Sequence, residues 1–166
     1  STAADPLPTD NAGTYTWTVP DAISSTVKVR VSNTADISVN DVSNTAFKIV
    51  GSLTLTAPNG GEGWGVGLSK EIIWTRTGSV ANVRLAYSIN VGTTYDYLII
   101  VSTPGGVLSY FWTIPDTVST NVKVKISDAI DVSVFDDSNL VFKIQPRFTV
   151  TAPAGGEVWT VNASQN

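Results

Sequence analysis

The chain has 166 residues and a net charge of −4, a balance that excludes the clustered Lys and Arg of a duplex nucleic-acid binder. His and Cys are both absent, which removes disulfides, thiolate nucleophiles, zinc sites and any catalytic triad built on imidazole. Apolar residues make up 42%, enough for a core and too many for a disordered linker, yet no apolar run approaches the roughly 18 residues of a membrane-spanning helix. The 17 Ser, 21 Thr and 22 Val suit β-structure and disfavour long helices. Met is absent too, and no signal peptide stands at Ser1, so the sequence reads as a processed chain or an excised piece.

In chain order, the first pattern is Tyr15-Thr-Trp17-Thr-Val-Pro20-Asp21, followed by Val27-Lys28-Val29 and Phe47-Lys48-Ile49. Leu53, Leu55 and Ala57 then alternate with Thr54 and Thr56, and Ile72 and Trp74 with Ile73 and Thr75. Val83, Leu85 and Tyr87 alternate with Arg84 and Ala86, and Val122, Val124 and Ile126 with Lys123 and Lys125. Period-2 alternation marks half-buried strands. Tyr97 to Val101 is continuously apolar and predicts a strand covered on both faces; Tyr110–Ile114 and Leu140–Ile144 supply two more. Turns are expected at Pro58-Asn-Gly-Gly, Thr77-Gly-Ser, Asn90-Val-Gly92, Pro104-Gly-Gly106, Pro115-Asp116 and along the Asp-rich stretch 128–137.

These patterns recur at an offset of 95. Tyr15 to Asp21 returns as Tyr110-Phe-Trp112-Thr-Ile-Pro115-Asp116, Val27-Lys28-Val29 as Val122-Lys123-Val124, and Phe47-Lys48-Ile49 as Phe142-Lys143-Ile144. Asp36, Asp41 and Ser43-Asn44 map onto Asp131, Asp136 and Ser138-Asn139, and Pro58-Asn-Gly60-Gly61-Glu62-Gly-Trp64 onto Pro153-Ala-Gly155-Gly156-Glu157-Val-Trp159. Similarity between Ser/Thr-rich segments alone would not hold one register through Trp, Pro and Phe. The expected organisation is the C-terminal half of a repeat over 1–50, a complete repeat over 51–145 and the first strand or strands of a following repeat over 146–166. Phe148 to Ala152 is expected to form a strand. The chain reads as a window on a longer array; nothing in it matches Ile72 to Tyr95 for the first unit, which favours a continuous fibre over a simple strand-exchanged polymer. About seven short strands in roughly 95 residues, with a Trp suited to a core, predict an all-β fold of tandem immunoglobulin-like or fibronectin III-like β-sandwich repeats held by packing alone.

With P-N-G-G-E-x-W at 58–64, W-T-x-P at 112–115, the Val122-Lys123-Val124 strand and D-x-S-N-x-x-F-K-I at 136–144, the chain resembles the tandem Ig-like repeats of large bacterial secreted and cell-surface proteins. The resemblance covers nearly the whole chain and implies stalk, spacer, adhesive or cell-wall-associated modules, often outside a catalytic domain elsewhere in the polypeptide. One departure is local. The family pattern Y-S-x-D-G-G-x-T-W reads Tyr87-Ser88-Ile89-Asn90-Val91-Gly92-Thr93-Thr94-Tyr95 here, with Asn for Asp and Tyr for Trp, which puts any ion- or sugar-binding role of that hairpin in question.

Among candidate sites, Asp128, Asp131, Asp136 and Asp137 fall within ten residues, and calcium takes roughly six to eight oxygen ligands from such loops. The spacing is not that of an EF-hand, and Asx-turns account for the same residues more simply; calcium is the alternative. Asp136-Asp-Ser138-Asn139 is expected to form an Asx or Ser turn that launches the last strand. Glu62 and Glu157 each follow Gly-Gly; closing a glycine-rich loop suits them better than acid catalysis, since glycoside hydrolysis needs two carboxylates at a set separation. Trp64, Trp74 and Trp112 serve a disulfide-free core, with sugar stacking as the alternative. The glycines at 60, 61, 63, 65 and 67 lack the Lys-Ser/Thr of a phosphate loop. Asn162-Ala-Ser164 is a formal glycosylation sequon without a counterpart in the preceding repeat.

The first functional expectation is a non-catalytic extracellular or cell-surface structural repeat: a stalk, surface-layer or filament-forming segment whose partners are neighbouring repeats or copies of itself. The second is a carbohydrate-binding or adhesive module that contacts cell-wall or extracellular polysaccharide through at least two coplanar exposed aromatics. No cofactor is expected, calcium being the one exception in view, and no enzyme, nucleic-acid partner or membrane-spanning segment.

Overall fold

The computed structural model describes residues 13–164, so residues 1–12 of the first predicted segment and 165–166 of the last lie outside the described residues. Contacts divide the chain into two units, Ser1–Gly51 and Ser52–Asn166. The described residues form thirteen strands and one 3-10 turn, with no α-helix. This is an all-β protein whose strands pair mostly antiparallel.

In the first unit, β1 (Ser24–Val27) pairs antiparallel with β4 (Phe47–Ile49), and β2 (Arg30–Ser32) with β3 (Asn40–Val42). In the second, β5 (Ser52–Ala57), β7 (Ser69–Thr77) and β10 (Ser109–Thr113) form a three-stranded sheet in the order β10-β7-β5. The other sheet runs β6-β13-β11-β8-β9, where β6 is Gly63–Gly65, β8 Asn82–Ser88, β9 Tyr97–Pro104, β11 Ser119–Asp128 and β13 Phe142–Gln145. The short β12 (Phe135–Asp137) pairs with β11 beside that path. The chain thus leaves one sheet after β5 and joins the other at β6, which runs parallel to β13. Gly60 makes the crossing: its φ is +125°, and a Cβ there would stand 2.4 Å from that of Leu140, so the backbone approach admits no side chain.

The core of the second unit follows from the alternation. Leu53, Leu55, Ile72, Trp74 and Trp112 come from one sheet, and Val83, Leu85, Tyr87, Val122, Val124, Ile126, Phe142 and Ile144 from the other. Each fully buried aliphatic or aromatic side chain contributes about 1.5–3 kcal/mol. Aromatic contacts link the sheets where a disulfide would otherwise serve: the Trp112 ring stands edge-on to Trp64 at 6.1 Å and 4.9 Å from Tyr87, while within the larger sheet Trp64 lies 4.9 Å from Phe142. Trp74 is buried with its indole Nε1 donating to the Gly105 carbonyl at 3.1 Å, so its one polar atom is satisfied.

The two units share their local bonding at the 95-residue offset. Ser24↔Ile49 and Val27↔Phe47 repeat as Ser119↔Ile144 and Val122↔Phe142, and Arg30↔Val42 as Lys125↔Asp137. Asn33 N donates to Val39 O and Asp128 N to Val134 O, both at 2.9 Å. The Ser43 hydroxyl accepts from Val29 N at 3.2 Å, and the Ser138 hydroxyl from Val124 N at 3.0 Å. Burial is opposite. Val124, Ile126 and Phe142 are 0% exposed, whereas their counterparts Val29, Val31 and Phe47 are 46%, 63% and 37% exposed.

Three expectations need correction, and one strand was not expected. Tyr97–Val101 is not covered on both faces: among the described residues β9 pairs only with β8 and lies at the sheet edge, with Leu98 and Val101 exposed. The Asp-rich stretch is not all turn, because Phe135–Asp137 joins β11 as β12. Gly63–Gly65 forms a strand that its glycines concealed. Residues 146–164 contain no strand, since none of the described residues pairs with Phe148 to Ala152; the loop that follows nonetheless copies its predecessor, with Gly155 and Gly156 at positive φ like Gly60 and Gly61.

Candidate functional site

The four Asp candidates lie on different faces. Asp128 Oδ1 accepts from the backbone N–H groups of Ile130 at 2.8 Å and Asp131 at 3.3 Å. Asp131 Oδ1 accepts from Ser133 through its backbone N–H at 3.2 Å and its hydroxyl at 2.5 Å. These are the expected Asx-type turns, and the first unit repeats them with Asn33 and Asp36. The Ser38 hydroxyl and then its N–H hold the Asp36 carboxyl below its usual range. Asp136 and Asp137 are adjacent in β12 and therefore point to opposite faces. Asp136 Oδ2 accepts from Leu55 N at 2.7 Å, tying β12 to the edge of the other sheet. Among the described residues, no three carboxylates are grouped so that they could hold a metal ion.

Asp136 and Ser138 form no local turn, contrary to expectation. The Ser138 hydroxyl donates to Pro58 O at 2.8 Å while accepting from Val124 N, and the side chain is fully buried. Glu62 closes its loop as expected, its two oxygens accepting from Asn59 N at 2.8 Å and Gly60 N at 2.9 Å. Glu157 does the same with Ala154 N and Gly155 N, and these N–H groups hold its carboxyl below the usual range. Trp64, Trp74 and Trp112 are all buried, so their faces are packed against protein.

A cluster outside the candidate residues occupies the outward face of the larger sheet. The alternation that buries Val122, Val124 and Ile126 turns Lys123 and Lys125 outward, and β12 adds Phe135 and Asp137 beside them. The β8–β9 connection delivers Tyr95. Its course is set by Ser88, whose hydroxyl donates to Asn90 Oδ1 at 2.6 Å and accepts from Asn90 N and Gly92 N at 3.1 and 2.9 Å. Tyr95 OH then donates to Asp137 Oδ2 at 2.5 Å, and Lys123 Nζ stands 3.7 Å from Asp137 Oδ1. Lys125 Nζ lies 3.7 Å from the Phe135 ring centre and 5.5 Å from that of Tyr95, so the two rings are within about 9 Å of each other across one ammonium. The face offers ring surface, a carboxylate and two cations. In the first unit Asn40 and Val42 stand where Phe135 and Asp137 are, so the cluster belongs to the second unit alone. The Tyr-for-Trp departure at position 95 was the only sequence signal pointing to it.

Burial first, then the hydrogen bond and charge of Asp137, pushes the Tyr95 phenol above its ordinary value of 10.0. Tyr95 therefore ionises at higher pH in the folded chain than in the unfolded one. Its contribution is complete below about pH 10 and is lost as pH rises through the folded value. Urea midpoints measured from pH 8 to 12 should fall along the alkaline limb. Tyr95→Phe should flatten that limb; an unchanged slope would show that other groups set it.

No family model matches the chain, and no curated protein sequence matches it either.

Proposed function

We propose that this chain is a non-catalytic structural segment of an extracellular or cell-surface tandem-repeat protein, built from immunoglobulin- or fibronectin III-like β-sandwich repeats of about 95 residues. The observation that carries the reading is the recurrence of turns, strand register and side-chain caps at the 95-residue offset, including in a unit most of whose apolar residues are exposed. Repeat arrays have this property: one supersecondary design recurs, and neighbours complete each other's burial. The orders β10-β7-β5 and β9-β8-β11-β13, with core residues drawn from both, support the sandwich assignment. The absence of Met and Cys suits a long-lived exposed material, since neither thiol nor thioether is present to oxidise.

The Tyr95–Lys125–Phe135 face favours a second reading, an adhesive module that holds polysaccharide. Titrating soluble cell-wall polysaccharides into the chain under calorimetry separates the two. The structural reading expects no saturable heat. Saturable binding that disappears in Phe135→Ser would replace it with the adhesive one.

A further inference from the structure

We infer that Glu62 guards Asn59 against spontaneous deamidation, and that Asn59 is a modification site of this chain once that guard is lost. The inference goes beyond the structural reading above and does not depend on it. Asn59-Gly60 is the one Asn-Gly pair in the sequence; every other Asn with a successor precedes a residue that carries a side chain. Without a Cβ, Gly leaves its nitrogen open to the side chain before it. The reaction is an internal attack. The Gly60 nitrogen gives its proton to a solvent base and bonds to Asn59 Cγ. The Cγ–Nδ2 bond breaks, and ammonia leaves with a proton returned by that base, so that a five-membered imide remains. Water then opens the imide at either carbonyl, to aspartate or to an isoaspartyl link whose main chain runs through the side-chain carbon.

The fold opposes the first step at both reacting groups. Glu62 Oε2 accepts from Gly60 N at 2.9 Å and Oε1 from Asn59 N at 2.8 Å, and all three residues are half-buried. The proton that must leave is therefore held by a carboxylate. Removing it would set a second negative charge beside the first, a repulsion that strengthens where water is partly excluded. The carboxamide is held from the other side, because Asn59 Oδ1 accepts from Asn139 N at 2.7 Å across 80 residues. The backbone is pinned as well. Leu140 N donates to Asn59 O at 3.3 Å and Gly61 N to Val141 O at 2.9 Å, and Gly60 lies too close to Leu140 to admit a Cβ. The Asn59–Gly60 peptide cannot turn toward its own side chain without lifting the loop off that segment.

The matching loop separates the two roles of the carboxylate. Glu157 accepts from Ala154 N and Gly155 N, but Ala154 stands where Asn59 is, so there the carboxylate closes a loop and has no amide to protect. At Asn59 the same two bonds do both. The asparagine has its own use, since its Oδ1 ties the crossing loop to the segment between β12 and β13. An isoaspartyl link would lengthen the main chain by one carbon where Gly60 passes Leu140, and the crossing would no longer fit its slot.

The test keeps the whole chain for weeks in mildly alkaline buffer, with and without urea, and maps its peptides by mass spectrometry for the aspartyl and isoaspartyl products of Asn59. Two hydrogen bonds to a charged group must be given up before the imide closes, so the folded chain should deamidate there roughly a hundredfold more slowly than the unfolded one. Glu62→Gln keeps one acceptor oxygen and should raise the folded rate roughly tenfold beyond what the unfolded fraction from its own urea curve explains. Glu157→Gln should leave the rate at Asn59 unchanged. Base-catalysed hydrogen exchange at Gly60 N removes the same proton and needs no substitution; in the parent it should be slowed in parallel. Equal rates in the folded and unfolded parent overturn the inference, as does Gly60 exchange at the unprotected rate. A folded Glu62→Gln chain that deamidates no faster than its unfolded fraction allows assigns the protection to global folding and overturns it too. If that variant does not fold, the two parent measurements decide.

Discussion

Replacing Trp112 by alanine is expected to destabilise the second unit by about 3–5 kcal/mol, because it removes a buried aromatic that touches Trp64 and Tyr87 and leaves a cavity between the sheets. The same substitution at Trp17, its counterpart 95 residues earlier, is expected to cost less than about 1 kcal/mol, since that ring is 42% exposed. Urea unfolding of the two variants beside the parent chain measures both. Equal losses would mean that the first unit buries its Trp in solution.

Ser138→Ala should be the second most damaging of the simple truncations. The hydroxyl is a hinge point for three elements: it accepts from Val124 N on β11, donates to Pro58 O after β5, and sits immediately beyond β12. Alanine leaves a buried N–H and a buried carbonyl without a partner, at a cost of about 2–4 kcal/mol. Ser43→Ala removes the matching hydroxyl at a site where water can reach the backbone, and its loss should stay below about 1 kcal/mol. Thermal melts of both variants, read against the parent, check the pair. A small loss at Ser138 would show that the Pro58 carbonyl finds another donor.

Period-2 patterns were legible wherever burial alternates cleanly, as in Val122, Val124 and Ile126 or Ile72 and Trp74, because one face of each strand packs and the other does not. Tyr97 to Val101 misled because a continuous apolar run suits a central strand, while its place at the edge depends on what lies beyond it in space. Gly63-Trp64-Gly65 was hidden by its glycines, which are needed there because the Gln145 and Arg147 side chains occupy the space a Cβ would enter. The bonds of Asp128 and Asp131 run to residues two or three places away and could be read as turns. Those from Asp136 to Leu55 and from Ser138 to Pro58 reach across 81 and 80 residues, and no local pattern announces them. The Tyr95 cluster was illegible for the same reason, since it gathers side chains from a loop and two strands.

The bare backbone of β6 governs how the chain leaves the larger sheet. A Cβ at Gly65 would stand 2.7 Å from the Arg147 stem, and one at Gly63 3.4 Å from the Gln145 amide. A side chain at Gly65 would therefore lever up the residues that follow β13, so the absence of two side chains on one strand is what lets the exit from its neighbour lie flat.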